Sequence, residues 1–145
     1  MEIHLGGDHR GLELRRQIIE YLEAQGHTCI HHGCDSLDRV DYPDYAAAVG
    51  RAVAAKVGAL GVLTCGSGVG IAIPANKIPG IRCVAAWCEH VAEYGRRHNH
   101  ANALAFGADV QTFTQVKRCL DAYLAAEPEG DRHAARVEKI AALER

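Results

Sequence analysis

Ala59-Leu60-Gly61-Val62-Leu63-Thr64-Cys65-Gly66-Ser67-Gly68-Val69-Gly70 is the stretch on which the fold turns. Its first half is a short apolar run between small residues, the pattern of a parallel strand buried on both faces. Its second half is a glycine-rich turn, with a helix predicted to begin near Gly70. The same alternation extends in both directions. Upstream, Ile3-His4-Leu5-Gly6-Gly7 is a short strand, followed by a helix over about 8–25. Leu14, Ile18 and Leu22 stack on one face of that helix, while Glu13, Arg16, Gln17, Glu20 and Glu23 hold the wet side. Gly26 falls where a left-handed cap is expected, and residues 27–32 form the next strand. Asp41-Tyr42-Pro43 opens a helix with proline in its first turn and Tyr45, Val49, Ala52 and Val53 as its apolar face. Downstream, residues 81–86 and 103–106 are two more apolar runs, separated by a helix over about 89–97. Thr112 caps a helix in which Phe113, Val116, Leu120, Tyr123 and Leu124 recur at helical spacing.

Five strands alternating with helices imply a doubly wound parallel sheet, α/β and Rossmann/flavodoxin-like, with helices on both faces. Right-handed crossovers favour the order 2-1-3-4-5. Ligands of such sheets bind beyond the carboxyl ends of the strands, near the switch point between the first and third. A last helix runs over about 131–144, with Val137, Ile140 and Ala141 on one side and Arg132 and Arg136 on another. It has no place in a five-strand layer, so it is predicted to reach a partner subunit. There is no internal repeat or linker, and residues 1–145 read as one domain.

Composition bounds the function. The 145 residues carry 16 Lys+Arg against 18 Asp+Glu, a net charge of −2, without the basic stripe of a nucleic-acid binder. Hydrophobic residues make up 48% and charged residues 23%, which is globular rather than disordered. No apolar run approaches the ~20 residues of a membrane span. The opening Met1-Glu2-Ile3-His4-Leu5 lacks the basic and apolar regions of a secretory signal, so a soluble cytoplasmic chain is expected. The six cysteines form no Cys-x-x-Cys pair, and most read as small buried hydrophobes. At His31-His32-x-Cys34, structural histidines are favoured over a metal site.

Cys65 stands apart. It ends a strand and precedes a loop whose glycines bring backbone N–H groups close to an anion. Such surroundings favour a thiolate able to act as nucleophile or general base. The loop lacks the lysine of a Walker motif and the full Gly-x-Gly-x-x-Gly spacing, which weakens ATP and dinucleotide readings. A plain glycine turn beside a buried thiol is the bland alternative. The first strand delivers Asp8-His9 to the same sheet edge. Arg96-Arg97-His98-Asn99-His100 ends the fourth helix with two candidate acids, between which composition does not choose.

Taken together, the motifs resemble the ribose-5-phosphate isomerase B family, of the ribose/galactose-6-phosphate isomerase superfamily. The resemblance rests on Gly-x-Asp-His near the start, Asp41-Tyr42-Pro43-Asp44-Tyr45-Ala46, Cys65-Gly66-Ser67-Gly68-Val69-Gly70-Ile71 and Ala75-Asn76-Lys77. It continues through Gly80-Ile81-Arg82, Arg97-His98-Asn99, Asn102-Ala103-Leu104-Ala105-Phe106-Gly107 and Arg132-His133-x-x-Arg136-Val137, in order across the chain. It implies interconversion of an aldose phosphate and its ketose through an enediolate, with neither metal nor organic cofactor. In that scheme Cys65 moves the proton and the amides of Gly66, Ser67, Gly68, Val69 and Gly70 hold the enediolate. Ser67 relays a proton, His98 opens the sugar ring, and Asn99 positions substrate. Asp8 and His9 bind hydroxyls or phosphate, and Arg132 and Arg136 clamp the phosphate. The resemblance also implies a homodimer or homotetramer with the site shared between subunits.

One position departs. The family places an arginine two residues after Phe106-Gly107, and here that residue is Asp109. Either Arg10, at a position usually small or apolar in the family, compensates, or the preferred substrate differs. Three readings follow: isomerisation of ribose 5-phosphate and ribulose 5-phosphate, the same chemistry on a tetrose or hexose phosphate, or a non-catalytic phosphate- or nucleotide-binding module.

Overall fold

The computed structural model describes residues 1–145. Its order is β1 (Glu2–Gly7), α1 (Leu12–Ala24), β2 (Thr28–His31), α2 (Tyr42–Ala54), β3 (Leu60–Cys65), α3 (Val69–Ala75), β4 (Cys83–Ala85), α4 (Glu89–Asn99), β5 (Ala103–Gly107), α5 (Phe113–Ala125) and α6 (Asp131–Ala142). All five strands are parallel, and they lie in the order β2-β1-β3-β5-β4. The doubly wound sheet is the expected one. Its last two strands, however, exchange places relative to 2-1-3-4-5. Burial explains the exchange: the five residues of β5 are all buried, whereas β4 has three, two of them only half-buried. The fully apolar strand takes the interior and the short one takes the edge.

The exchange also decides which helices share a face. A right-handed crossover changes face whenever the chain reverses its direction across the sheet. The chain steps outward from β3 to β4 and back to β5, so α3 joins α2 on one face and α4 joins α1 on the other, where α5 packs too. Strand alternation feeds both layers. Leu60 and Val62 of β3, with Leu104 and Phe106 of β5, enter the core beneath α1, α4 and α5. Leu63 and Cys65, with Ala103 and Ala105, enter the core beneath α2 and α3. Thr112 caps α5 as expected, in a reciprocal bond with Gln115. Gly26 takes the left-handed conformation after α1, with φ of 86°.

The last helix packs against α4 of its own chain. Its far end is tied to the body where the Gly80 amide donates to Glu144 at 2.9 Å.

Candidate active site

Registers align the carboxyl ends of β1, β3 and β5: Gly7 lies beside Thr64, and Cys65 beside Gly107. The turns beyond these ends are laced by backbone bonds, Ala108 N–H to Cys65 C=O and Asp109 N–H to Gly66 C=O, each at 2.9 Å. Two glycines make the close approach possible. A Cβ on Gly107 would lie 2.4 Å from the Ser67 backbone, and Gly68 sits at φ 79° against the backbone of Phe106. A side chain at either position would push the Ser67 turn away from the sheet.

The result is a cleft of about 220 Å³ lined by Asp8, Arg10, Tyr42, Cys65, Gly66, Ser67, Gly70, Asp109 and Val110. Cys65 is only 4% exposed, and its Sγ accepts the Gly68 amide at 3.2 Å. The Val69 amide is taken by Ser67 Oγ at 3.2 Å. The amides of Gly66 and Ser67 have no partner within the chain, so they remain free to bind an anion at the cleft. Asp8 is buried, and its Oδ1 accepts the Gly11 amide at 3.0 Å. His9 accepts the Val40 amide on Nδ1 at 3.3 Å, which leaves Nε2 to carry the proton.

Arg15 was not evident from the sequence. It is 3% exposed inside α1, donating to Thr64 Oγ1 at 2.8 Å and to the carbonyl oxygens of Asp8 and Cys34. One guanidinium thereby joins three segments behind the cleft, and burial pulls its pKa below the ordinary arginine value. Its signal was positional: Arg15 lies three residues before Ile18 and seven before Leu22, inside the apolar stripe. Tyr42 was quoted in a motif but given no role, yet it lines the cleft. Asp109 and Arg10 form an ion pair, and a Cβ on Gly66 would lie 2.8 Å from both. The pair therefore lies across Gly66.

The other residues lie elsewhere. A six-residue parallel strand spans roughly 17 Å between its first and last Cα. Cys65 ends β3 at the carboxyl edge, whereas α4 returns to the amino edge and places His98 and Asn99 there. Beside them, α6 carries Arg132 and Arg136, both exposed and without an acidic partner. The roomiest groove in the chain, about 590 Å³, lies at this edge, lined in part by Asn99, Ile140 and Leu143. His98 and His100 are separated by their contacts. His100 Nε2 is engaged by the Glu129 carbonyl at 2.6 Å, whereas His98 forms no hydrogen bond and its side chain is 31% exposed.

His98, Glu129 and His133 are the one group whose ligand atoms are near enough for a metal, all within 4.8 Å. The two imidazoles lie within 7° of parallel, however, so their lone pairs do not converge on a common point. Among the cysteines, burial pushes Cys29 and Cys119 up to about 11 and Cys83 up to about 12, which keeps them as thiols. His32 Nε2 pairs with His4 Nδ1 at 2.9 Å, the structural use expected of that histidine.

A buried thiol beside free amides, at the switch point of a doubly wound sheet, defines a site for proton chemistry on an anionic ligand. A family model described as ribose/galactose isomerase matches residues 3–140. The ribose-5-phosphate isomerase B of Escherichia coli is 44% identical over 143 residues, 99% of this chain and 96% of that protein. The Clostridium thermocellum ribose-5-phosphate isomerase B structure superposes with a TM-score of 0.96 at 40% identity, covering 99% of this chain and 97% of that one. That of Mycoplasma genitalium, solved with bound ribulose-5-phosphate, gives 0.95 at 34%, covering 99% and 95%. The chain belongs to the ribose/galactose isomerase family.

Proposed function

We propose that the chain is an aldose–ketose isomerase interconverting ribose 5-phosphate and ribulose 5-phosphate through an enediolate. The observation that carries this reading is Cys65 Sγ in a cleft beside the free Gly66 and Ser67 amides. Cys65 takes the proton from C2 of the open-chain aldose, and the C–H electron pair forms the C1–C2 double bond. The carbonyl oxygen becomes the oxyanion that the amides receive. Ser67 passes a proton between the two oxygens, and Cys65 returns its proton to C1. Electrons are conserved within the substrate, so the sequence calls for no redox cofactor.

His98 opens the ring, Asn99 positions the sugar, Asp8 and His9 bind hydroxyls or phosphate, and Arg132 and Arg136 clamp the phosphate. Since His98 and Cys65 occupy opposite edges of one sheet, a complete site takes its two halves from two copies, in a homodimer or homotetramer. Exposed Trp87, Val69, Ile73 and Val110 around the Cys65 edge are apolar surface suited to such contact. Six unpaired cysteines fit a reducing, cytoplasmic setting.

The test is incubation with ribose 5-phosphate in chelator, following ribulose 5-phosphate, beside tetrose and hexose phosphates. Ketose from ribose 5-phosphate supports the reading. Faster turnover of a four- or six-carbon sugar reassigns the substrate. Binding without turnover of any of them would leave only the non-catalytic module.

A further inference from the structure

Glu129, a half-buried loop residue, is held at several points. Its amide donates to the Arg97 carbonyl at 2.8 Å, its carbonyl engages His100 Nε2, and Arg97 Nε donates to its Oε1 at 2.7 Å. Only Oε2 is left over. That oxygen lies 3.9 Å from His98 Nε2 and 3.5 Å from His133 Nε2, near both nitrogens and bonded to neither. His133 is 7% exposed, and its buried Nε2 has no hydrogen-bond partner.

The His98 ring is confined as well. Tyr94, one turn earlier on α4, stacks on it at 4.8 Å between centroids, and His133 from α6 stacks at 4.2 Å. Two near-parallel rings at such distances cannot occupy the same face, so His98 is sandwiched. Packing alone would account for stacked rings. It does not account for a residue fixed at two backbone points and one carboxylate oxygen, with its other carboxylate oxygen near two imidazole nitrogens.

We propose that Glu129 and His133 are positioning residues for His98, His133 and Tyr94 fixing the plane of its ring and Glu129 fixing the direction of its Nε2 edge. The inference rests on the assignment of His98 as the ring-opening acid. A small movement of Glu129 Oε2 toward His98 supports the protonated ring before transfer. Movement toward His133 satisfies its orphaned nitrogen once His98 has passed its proton to the ring oxygen. The ring oxygen gains that proton as its bond to C1 breaks, and the anomeric hydroxyl gives up its own proton to water as C1 becomes the aldehyde, so opening leaves the sugar's proton count unchanged.

Two reactions separate positioning from general support of the fold. Turnover of ribose 5-phosphate begins with a closed ring. Exchange of a C1 hydrogen of ribulose 5-phosphate with solvent deuterium, read by NMR, requires only the enediolate. That ketose has no free 5-hydroxyl with which to close a ring. His98→Gln is expected to lower ribose 5-phosphate kcat about a hundredfold with exchange retained. Glu129→Gln and His133→Leu are each expected to lower it about tenfold, again with exchange retained, because misplacing an acid costs rate. His133→Phe, which keeps the stack, restores most of the loss seen in His133→Leu. Equal losses of turnover and exchange in the Glu129 and His133 variants, or no loss of turnover, would overturn the positioning role while leaving His98 in place. Full turnover in His98→Gln would overturn the ring-opening assignment itself.

Discussion

The two edges of the sheet are built from different materials. At the carboxyl edge the cleft is largely backbone: free amides, glycines packed so closely that a Cβ on Gly107 would lie 2.4 Å from the Ser67 backbone, and a thiol whose place is set by strand register. At the amino edge the equipment is long side chains on helix ends, namely stacked imidazoles, the Arg97–Glu129 pair and two unpaired arginines. Backbone is the better material for holding an enediolate, since amides cost little to reorganise as charge develops. Side chains on α4 and α6 are the better material for a proton donor and a phosphate clamp, which meet substrates arriving from solution. The edges stand roughly 17 Å apart, and the proposed mechanism divides the reaction between them, with the base on one copy and the acid on another.

The largest expected effect breaks one edge alone. Cys65→Ala should lose ~10²–10⁴-fold in isomerisation, the usual contribution of a general base, with the fold intact by circular dichroism. Near-normal turnover in that variant would remove Cys65 from the mechanism.

Mixing two dead variants tests the division itself. Cys65→Ala lacks the carboxyl-edge base and His98→Gln the amino-edge acid. If sites span two copies of a symmetric dimer, half of the randomly mixed dimers pair the two variants, and each mixed dimer has one intact site. Activity should return to about a quarter of wild type after co-refolding. A Cys65→Ala/His98→Gln double variant, mixed with itself, should recover nothing. No recovery in the first mixture would place acid and base in a single copy.

A third variant pair sharpens the carboxyl edge. Arg10 reaches the cleft from the turn before α1 and pairs with Asp109 over Gly66. A charge-assisted hydrogen bond to phosphate is worth ~1.5–3 kcal/mol, so Arg10→Ala should raise KM for ribose 5-phosphate about tenfold. Asp109→Arg should lower KM if the site merely wants a cation there. If both variants leave KM unchanged for every sugar phosphate tried, the pair is a surface contact that plays no part in binding.

The architecture and the carboxyl edge were legible in sequence because both follow from local pattern. A buried apolar run, a glycine turn and a helix announce a strand end wherever they occur. The swapped β4 and β5 were not legible, since both runs are apolar and only their lengths and burial in the folded sheet separate them. Asp8, Cys65, Ser67 and Gly70 were placed together because strand order brings them together. Glu129 is not singled out in the sequence, and His133 appears there only within a motif and without a role, for a different reason. Each is unremarkable alone, with His133 overshadowed by the arginines on either side, and their meaning depends on α6 docking against α4. Arg15 was readable in principle, as a charge inside a stripe of leucine and isoleucine, but such a residue is usually expected to turn its head to water.

The smallest expected effect concerns pH, and it also separates the edges. Burial first, then the nearby charges of His98 and Arg132, hold His133 below the ordinary histidine value of 6.5. Below that value the unfolded chain binds a proton that the folded ring resists, so stability falls with pH from about 6.5 downward until the folded pKa is reached. Glu129 acts in a lower window. Its hydrogen bond to Arg97 holds it below the ordinary value of 4.5, so its contribution is present above 4.5 and is lost as pH falls through the folded pKa. Both groups join α6 to α4, and neither touches β3. Hydrogen exchange of α6 amides, corrected for the intrinsic rate, should therefore accelerate between pH 7 and pH 5 while β3 amides stay protected. His27 and His32 are lowered by burial too, but they lie in or beside β2, so the local reading distinguishes them. His133→Gln should flatten the response of α6. Equal loosening of α6 and β3 in the wild-type protein would mean that the amino edge does not open by itself.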